Sequence, residues 1–387
     1  ALVLALGLAA FNYVTDPFAA FGDRFLNWFS YDETNNPRVA KISYLEQYHD
    51  EYDSYILGCS STSSLQVSDF NKLYDANFYN LIMYGADMRD CEKIADYLIE
   101  HYEVKHLVLN VYLDNGFTYD DETDRLTRNL HYLTDPDTSA LSFYTRYLFC
   151  DPRYGFAKLK NLRNDRLLPQ SFDVFNEVTG EYDKRVRDVE PIGSMDTYLE
   201  AYPVFADYPK TGDFVLGQTE NCMKSVAAIK ERCEAAGVEL VVVAAPVYID
   251  YFQNFQAEDV ANFYASLAKV TDFWDFSCSS VSCEPRYFYD ATHFRNAVGS
   301  MIAARIAGDD SVYIPDDFGT YVTADTPSSY FSEVLQATAL PDETVSRDVP
   351  VLMWHNLAEE SSGDMTISVD TFRAQIEALH EAGFKTV

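Results

Sequence analysis

The chain has 387 residues, 48% hydrophobic and 15% aromatic, which excludes global disorder and allows one large α/β domain with a smaller companion, or two medium ones. A net charge of −32 argues against nucleic-acid binding, because neutralising phosphates takes clustered Lys and Arg. The seven cysteines show no C-x-x-C pair and no Cys/His zinc spacing; Cys278 and Cys283 could close a small loop in an oxidising compartment.

Residues 1–14, ALVLALGLAAFNYV, are almost wholly apolar and too short to span a bilayer, which takes about 20 residues. A buried helix would explain them; the end of a signal anchor explains better why nothing amphipathic relieves the run. Residues 1–25 are therefore expected to be the end of a membrane anchor with its juxtamembrane segment. From residue 41 a βα alternation begins. YLEQYHDEY predicts a helix, SYILG (54–58) a buried strand, FYNLIMYG (78–85) a strand, MRDCEKIADYLIEHY (88–102) a helix and KHLVLNVYL (105–113) a strand. Short apolar runs separated by amphipathic helices point to a parallel sheet.

The alternation lapses between about 115 and 215, a stretch of aromatics, Asp-Pro and Pro-Ile-Gly turns and one basic segment, KLKNLRNDR (158–166). An insertion this long is expected to be either a substrate-binding lid or a plain helical subdomain. The pattern resumes with a helix over 220–237, closed by Gly237, and the most apolar strand, VELVVVAAP (238–246). A helix (257–270), a brief strand (272–277) and a last helix (295–307) complete the domain, expected to span 26–312. Residues 313–347, rich in Asp, Pro, Ser and Thr, predict a linker with at most one short helix. At 348–387 a fresh strand, VPVLMWHN, and an amphipathic helix form an incomplete βαβ fragment.

Two stretches carry chemistry. GCSSTSS (58–64) follows the first clear strand, and YFYDATHFRNAVG (287–299) places Asp290 three residues before His293, just ahead of the last helix. In a parallel sheet the strand C-terminal ends share one edge, so these two loops can meet there. Ser60 would then attack, His293 would take its proton, and Asp290 would orient and stabilise the imidazolium. Ser and Thr after a strand also serve as a helix N-cap, so both uses of the cluster remain open. Cys59 fits a small buried residue, with no basic neighbour to activate it.

These motifs, in this order and setting, resemble the SGNH (GDSL-like) hydrolase superfamily, in particular its membrane-anchored, cell-surface members such as alginate-type O-acetyltransferases and the D-alanylation protein of teichoic acid synthesis. The segment NYVTDPFAAFGD (12–23) is similar to the post-anchor segment of such proteins, and the resemblance covers roughly 10–312. It implies a three-layer, flavodoxin-like parallel sheet with a large insertion. It places the nucleophile third in the turn Gly58-Cys59-Ser60, with Cys59 where Asp is usual and Ser61 as a competitor. It also implies oxyanion donors at Ser60, at Gly85 in MYGAD, and at an Asn after the next strand. LVLNVYLDNG offers Asn110 and Asn115 but no clear G-x-N-D.

Residues 349–387 resemble the start of a polysaccharide deacetylase (NodB homology) domain, with Trp354 where Tyr is usual. That family's Asp-Asp and H-x-x-x-H metal ligands would lie beyond Val387, and His355 alone makes no zinc site. No cofactor or metal is therefore expected in this chain.

The expected function is serine-dependent acyl transfer, as O-acetyltransferase or O-acetylesterase, on a cell-envelope or exported polysaccharide. The expected partners are that glycan, an acyl donor and, through the N-terminal segment, the extracytoplasmic side of the cell membrane. The rival class is a non-catalytic glycan-binding or assembly module, or an accessory domain of a polysaccharide N-deacetylase; the missing G-x-N-D favours it.

Overall fold

The computed structural model describes residues 2–26, 36–117, 125–163, 174–184, 192–206, 212–338, 354–360 and 366–381. Six strands form one sheet: β1 (Ser54–Gly58), β2 (Phe78–Ile82), β3 (His106–Asn110), β4 (Glu239–Ala244), β5 (Phe273–Asp275) and β6 (Thr320–Val322). Their order is β6-β5-β4-β3-β1-β2, parallel throughout except that β6 runs antiparallel to β5. The chain is thus an α/β fold wound in both directions from β1, the arrangement that opens a crevice at the strand C-terminal ends.

Side chains alternate across the sheet and feed two cores. Tyr55, Leu57, Leu107, Leu109 and Val242 face one, with the helices Met88–His101, Thr219–Ala236 and Ala257–Val270. Ile56, Val108, Val241 and Val243 face the other, with the helices Val67–Tyr74 and Asn296–Ala307. A strand covered on both faces has no polar side, which is why each is read in the sequence as a continuous apolar run.

Several expectations need correction. The first domain helix begins at Pro37, capped by the Asn36 side chain on the Arg38 N–H, well before the expected start. The expected linker carries the short helix foreseen there, Ser329–Thr338, which packs Phe331 into the core, but also a strand that was not, β6, paired with β5. Phe318, Val322 and Phe331, spaced too widely to show a period, do the burying. The remainder of that segment, 339–347, lies outside the described residues, as does 349–353 of the following strand. Beyond it, Asn356–Ala358 pairs in parallel with Thr366–Ser368, and the helix Val369–Glu381 buries none of its residues.

The described parts of the insertion pack in different places. Its helices Ala140–Leu148 and Pro152–Arg163 pack on the N-terminal helix Leu2–Thr15, where Asn12 Nδ2 donates to the carbonyls of Leu148 and Cys150 at 3.0 and 2.9 Å. Lys158 and Asp23 form an ion pair there at 2.5 Å with both side chains 1% exposed. The first residues of that helix, Leu2, Val3, Leu4 and Leu6, are exposed, and no helix among the described residues is long and apolar enough to cross a membrane. The hairpin Val174–Asp183 instead seats on β2, where Asn80 N donates to Thr179 O at 2.9 Å.

One glycine shows how the halves lock. Gly299 lies inside the helix Asn296–Ala307, where Ala would be intrinsically better by about 1 kcal/mol. A Cβ there would stand 1.7 Å from Ser64 O, so the helix touches the backbone of the serine turn. Gly299→Ala is therefore expected to destabilise the protein by about 1–3 kcal/mol through overpacking, despite its helix propensity, as read by urea denaturation. Unchanged or raised stability would show that the two segments are not in contact.

Candidate functional site

β1 ends at Gly58, and the chain turns at once into a 3-10 turn, Ser60–Ser64. The turn is tight: a Cβ on Gly58 would stand 2.0 Å from Thr62 Oγ1. Its hydroxyls do not cap the following helix, whose N-cap, Gln66, makes no side-chain capping bond. They are spent elsewhere. Ser64 Oγ donates to Phe294 O at 2.6 Å, and the hydroxyl oxygens of Ser61 and Thr62 accept from Asn110 Nδ2 at 2.9 and 3.1 Å. Asn80 Nδ2 holds the turn from below through the carbonyls of Thr62 and Leu65.

Ser60 points out of this network. Its Oγ lies 2.8 Å from His293 Nε2. His293 Nδ1 lies 2.8 and 2.9 Å from the two carboxylate oxygens of Asp290. With the imidazole proton on Nδ1, where the carboxylate accepts it, Nε2 is left to accept the Ser60 hydroxyl proton. Asp290 and His293 face each other on a two-residue hairpin, Phe288–Asp290 with His293–Phe294. The carboxylate also builds that hairpin, since Asp290 Oδ1 accepts from the N–H of Thr292 and of His293 and from Thr292 Oγ1 at 2.8, 3.0 and 3.0 Å. Ala291 O, at its tip, accepts from Tyr248 N at 2.9 Å.

Burial works against the Asp290 charge, but the hydrogen bond and charge of His293 and the Thr292 N–H outweigh it and bring the carboxyl down to about 2. The competitor Ser61 is buried and hydrogen-bonded to Cys59 Sγ at 3.2 Å as well as to Asn110, with no imidazole contact among the described residues. Cys59 is itself buried, which raises its thiol to about 11.

Gly85 lies three residues beyond Ile82, the register partner of Gly58, so its loop flanks the serine turn; it has φ +55°. The backbone N–H groups of Ser60 and Gly85 have no acceptor among the described residues. Asn110 does not fill the oxyanion role expected of it. It is fully buried beneath the turn, with its amide N–H groups on Ser61 and Thr62 and its Oδ1 accepting from Ala245 N. Asn115 is likewise occupied, donating to Ala86 O at 3.1 Å and accepting from Tyr112 N at 2.7 Å.

Three residues escaped sequence reasoning. Thr292 sits inside D-x-x-H, where only the turn geometry reveals its second bond to Asp290. Asp114 accepts from the Tyr251 hydroxyl at 2.5 Å; burial raises its carboxyl to about 6, against the lowering by that bond and by the His293 charge. Nothing in YLDN marks it. Arg128, in the insertion, lies against Gly85.

No protein-family model matches the chain, and no curated protein matches it.

The depressed Asp290 carboxyl gives a pH dependence with a definite sign. A carboxylate that titrates near 4 unfolded and near 2 folded stabilises the fold fully above about pH 4, and that stability drains away as the pH falls toward 2. Asp290→Asn is expected to lower Tm at pH 7 but to leave a smaller drop in Tm between pH 5 and 2 than the parent shows. Parallel Tm–pH curves for the two proteins would contradict the pairing.

Proposed function

We propose that the chain is a serine acyl-transfer enzyme with the SGNH hydrolase fold, acting as O-acetyltransferase or O-acetylesterase on a cell-envelope or exported polysaccharide. The observation that carries this reading is the unbroken relay from the Asp290 carboxylate through His293 to the Ser60 hydroxyl. Each partner has the atom its role requires. Ser60 Oγ attacks the acyl carbonyl and gives its proton to Nε2; Asp290 holds the imidazolium that results; the leaving alcohol takes the proton back. A sugar hydroxyl or water then enters by the same route in reverse. The glycan is supported by the likeness of the sequence alone. The exposed apolar start of the N-terminal helix supports an extracytoplasmic membrane-surface location.

The rival, a non-catalytic glycan-binding module, draws on the commitment of both Asn110 amide N–H groups to Ser61 and Thr62. A fluorophosphonate probe separates the two, because only an activated serine reacts. Labelling is expected at Ser60 at neutral pH. Ser60→Ala and His293→Ala are each expected to lower acetyl-ester turnover by about 10⁴-fold or more. Ser61→Ala should retain the nucleophile and lose mainly stability. An unlabelled Ser60 would favour the binding module; full activity in Ser60→Ala with loss in Ser61→Ala would move the nucleophile by one residue.

A further inference from the structure

An acyl-serine mechanism needs donors aimed at the oxygen on which negative charge develops. The Ser60 and Gly85 N–H groups have no acceptor among the described residues, both N–H groups of the Asn110 amide go to Ser61 and Thr62, and the buried Asn115 amide donates to Ala86 O. A cation stands against Gly85. Arg128 closes the short helix Arg125–Arg128 and brings its guanidinium over Gly85, so that a Cβ on Gly85 would stand 2.8 Å from Nη1 and 3.1 Å from both Cζ and Nη2. A glycine is what admits the guanidinium there, and its φ of +55° is one that side-chain-bearing residues rarely adopt. Arg128 has no hydrogen-bond or ion-pair partner among the described residues.

We propose that Arg128 is the remaining oxyanion donor, a catalytic residue supplied by the insertion. This rests on the acyl-serine reading above. As the Ser60 Oγ–carbon bond forms, the Ser60 proton passes to His293 Nε2 and the carbonyl π pair moves onto oxygen. That oxygen accepts N–H bonds from Ser60, Gly85 and the Arg128 guanidinium. When the carbonyl re-forms, the leaving alkoxide departs with the proton from His293, and Arg128 returns to solvent with no net change. A guanidinium offers both full charge and fixed donor geometry, so it can stand in for an amide even from the exposed position Arg128 holds.

The test uses p-nitrophenyl acetate, a small neutral ester with no anionic group for an arginine to hold. In Arg128→Ala, kcat is expected to fall about 100-fold with KM within about twofold, Arg128→Lys should recover part of it, and added millimolar guanidinium should rescue Arg128→Ala but not Ser60→Ala. A Tm within a few degrees of the parent for Arg128→Ala checks that the fold is intact. Arg128→Ala with unchanged kcat, or with only a raised KM, would overturn the assignment and leave Arg128 as a substrate clamp or bystander. If the parent shows no Ser60-dependent turnover, the acyl-serine reading fails and takes this inference with it. Ser60-dependent turnover that is indifferent to Arg128 removes this inference alone.

Discussion

The 2.8 Å contact between His293 Nε2 and Ser60 Oγ joins residues 233 apart in the chain, and the surrounding packing is arranged to hold it. Neither partner is rigid by itself. A 3-10 turn of five hydroxyl-rich residues has weak internal hydrogen bonding, and a two-residue hairpin has none to spare. Rigidity is imported from the sheet and from the last helix. Ser64 Oγ reaches Phe294 O across the gap, Gly299 brings the helix Asn296–Ala307 onto Ser64, and Ser300 Oγ meets Asp69 on the opposite helix at 2.8 Å. A side chain deleted from this seam leaves buried polar atoms unpaired, so errors here cost both stability and alignment.

Asn110 shows how a structural demand can displace a chemical one. At the end of β3, beneath the serine turn, Ser61 Oγ, Thr62 Oγ1 and the Ala245 N–H are buried and all need partners. One primary amide meets all three, with its two donors and one acceptor. Having done so it has no N–H left for a substrate oxygen. Asn115 works alongside it, fixing the loop bearing Gly85 by donating to Ala86 O. Both asparagines therefore support the geometry of the loops that carry the Ser60 and Gly85 backbone donors.

How much could be seen in the sequence follows from how local each determinant is. Strands β1 to β5 and the helices Met88–His101, Thr219–Ala236 and Ala257–Val270 lie close to their expected places, because apolar runs and the Gly237 left-handed cap act over a few residues, whereas the helix Val67–Tyr74 was not expected. The pair Asp290 and His293 was legible because three residues of spacing fix a hairpin contact. Strand β6 was not, since its place is set by pairing with β5 and by three scattered aromatic or branched residues, Phe318, Val322 and Phe331. Arg128 was invisible for the same reason at greater length: its position against Gly85 depends on where a 100-residue insertion folds, and no short pattern encodes that.

On the acyl-serine reading, the balance between hydrolysis and transfer turns on access to the acylated Ser60. The insertion commits its two longest described helices to the N-terminal segment, and His293 and Asp290 keep 28% and 29% side-chain exposure. With that exposure water can reach the relay, and an acceptor bound over it would displace that water by occupancy. Asp114 bears on the second half-reaction as well. Held by Tyr251 and within the field of His293, it is ionised above about pH 6 and neutral below it. An ionised Asp114 adds to Asp290 in stabilising the imidazolium that forms whenever an acceptor hydroxyl is deprotonated. The second carboxylate thus favours the charged relay over the pH range in which either sugar or water would be activated.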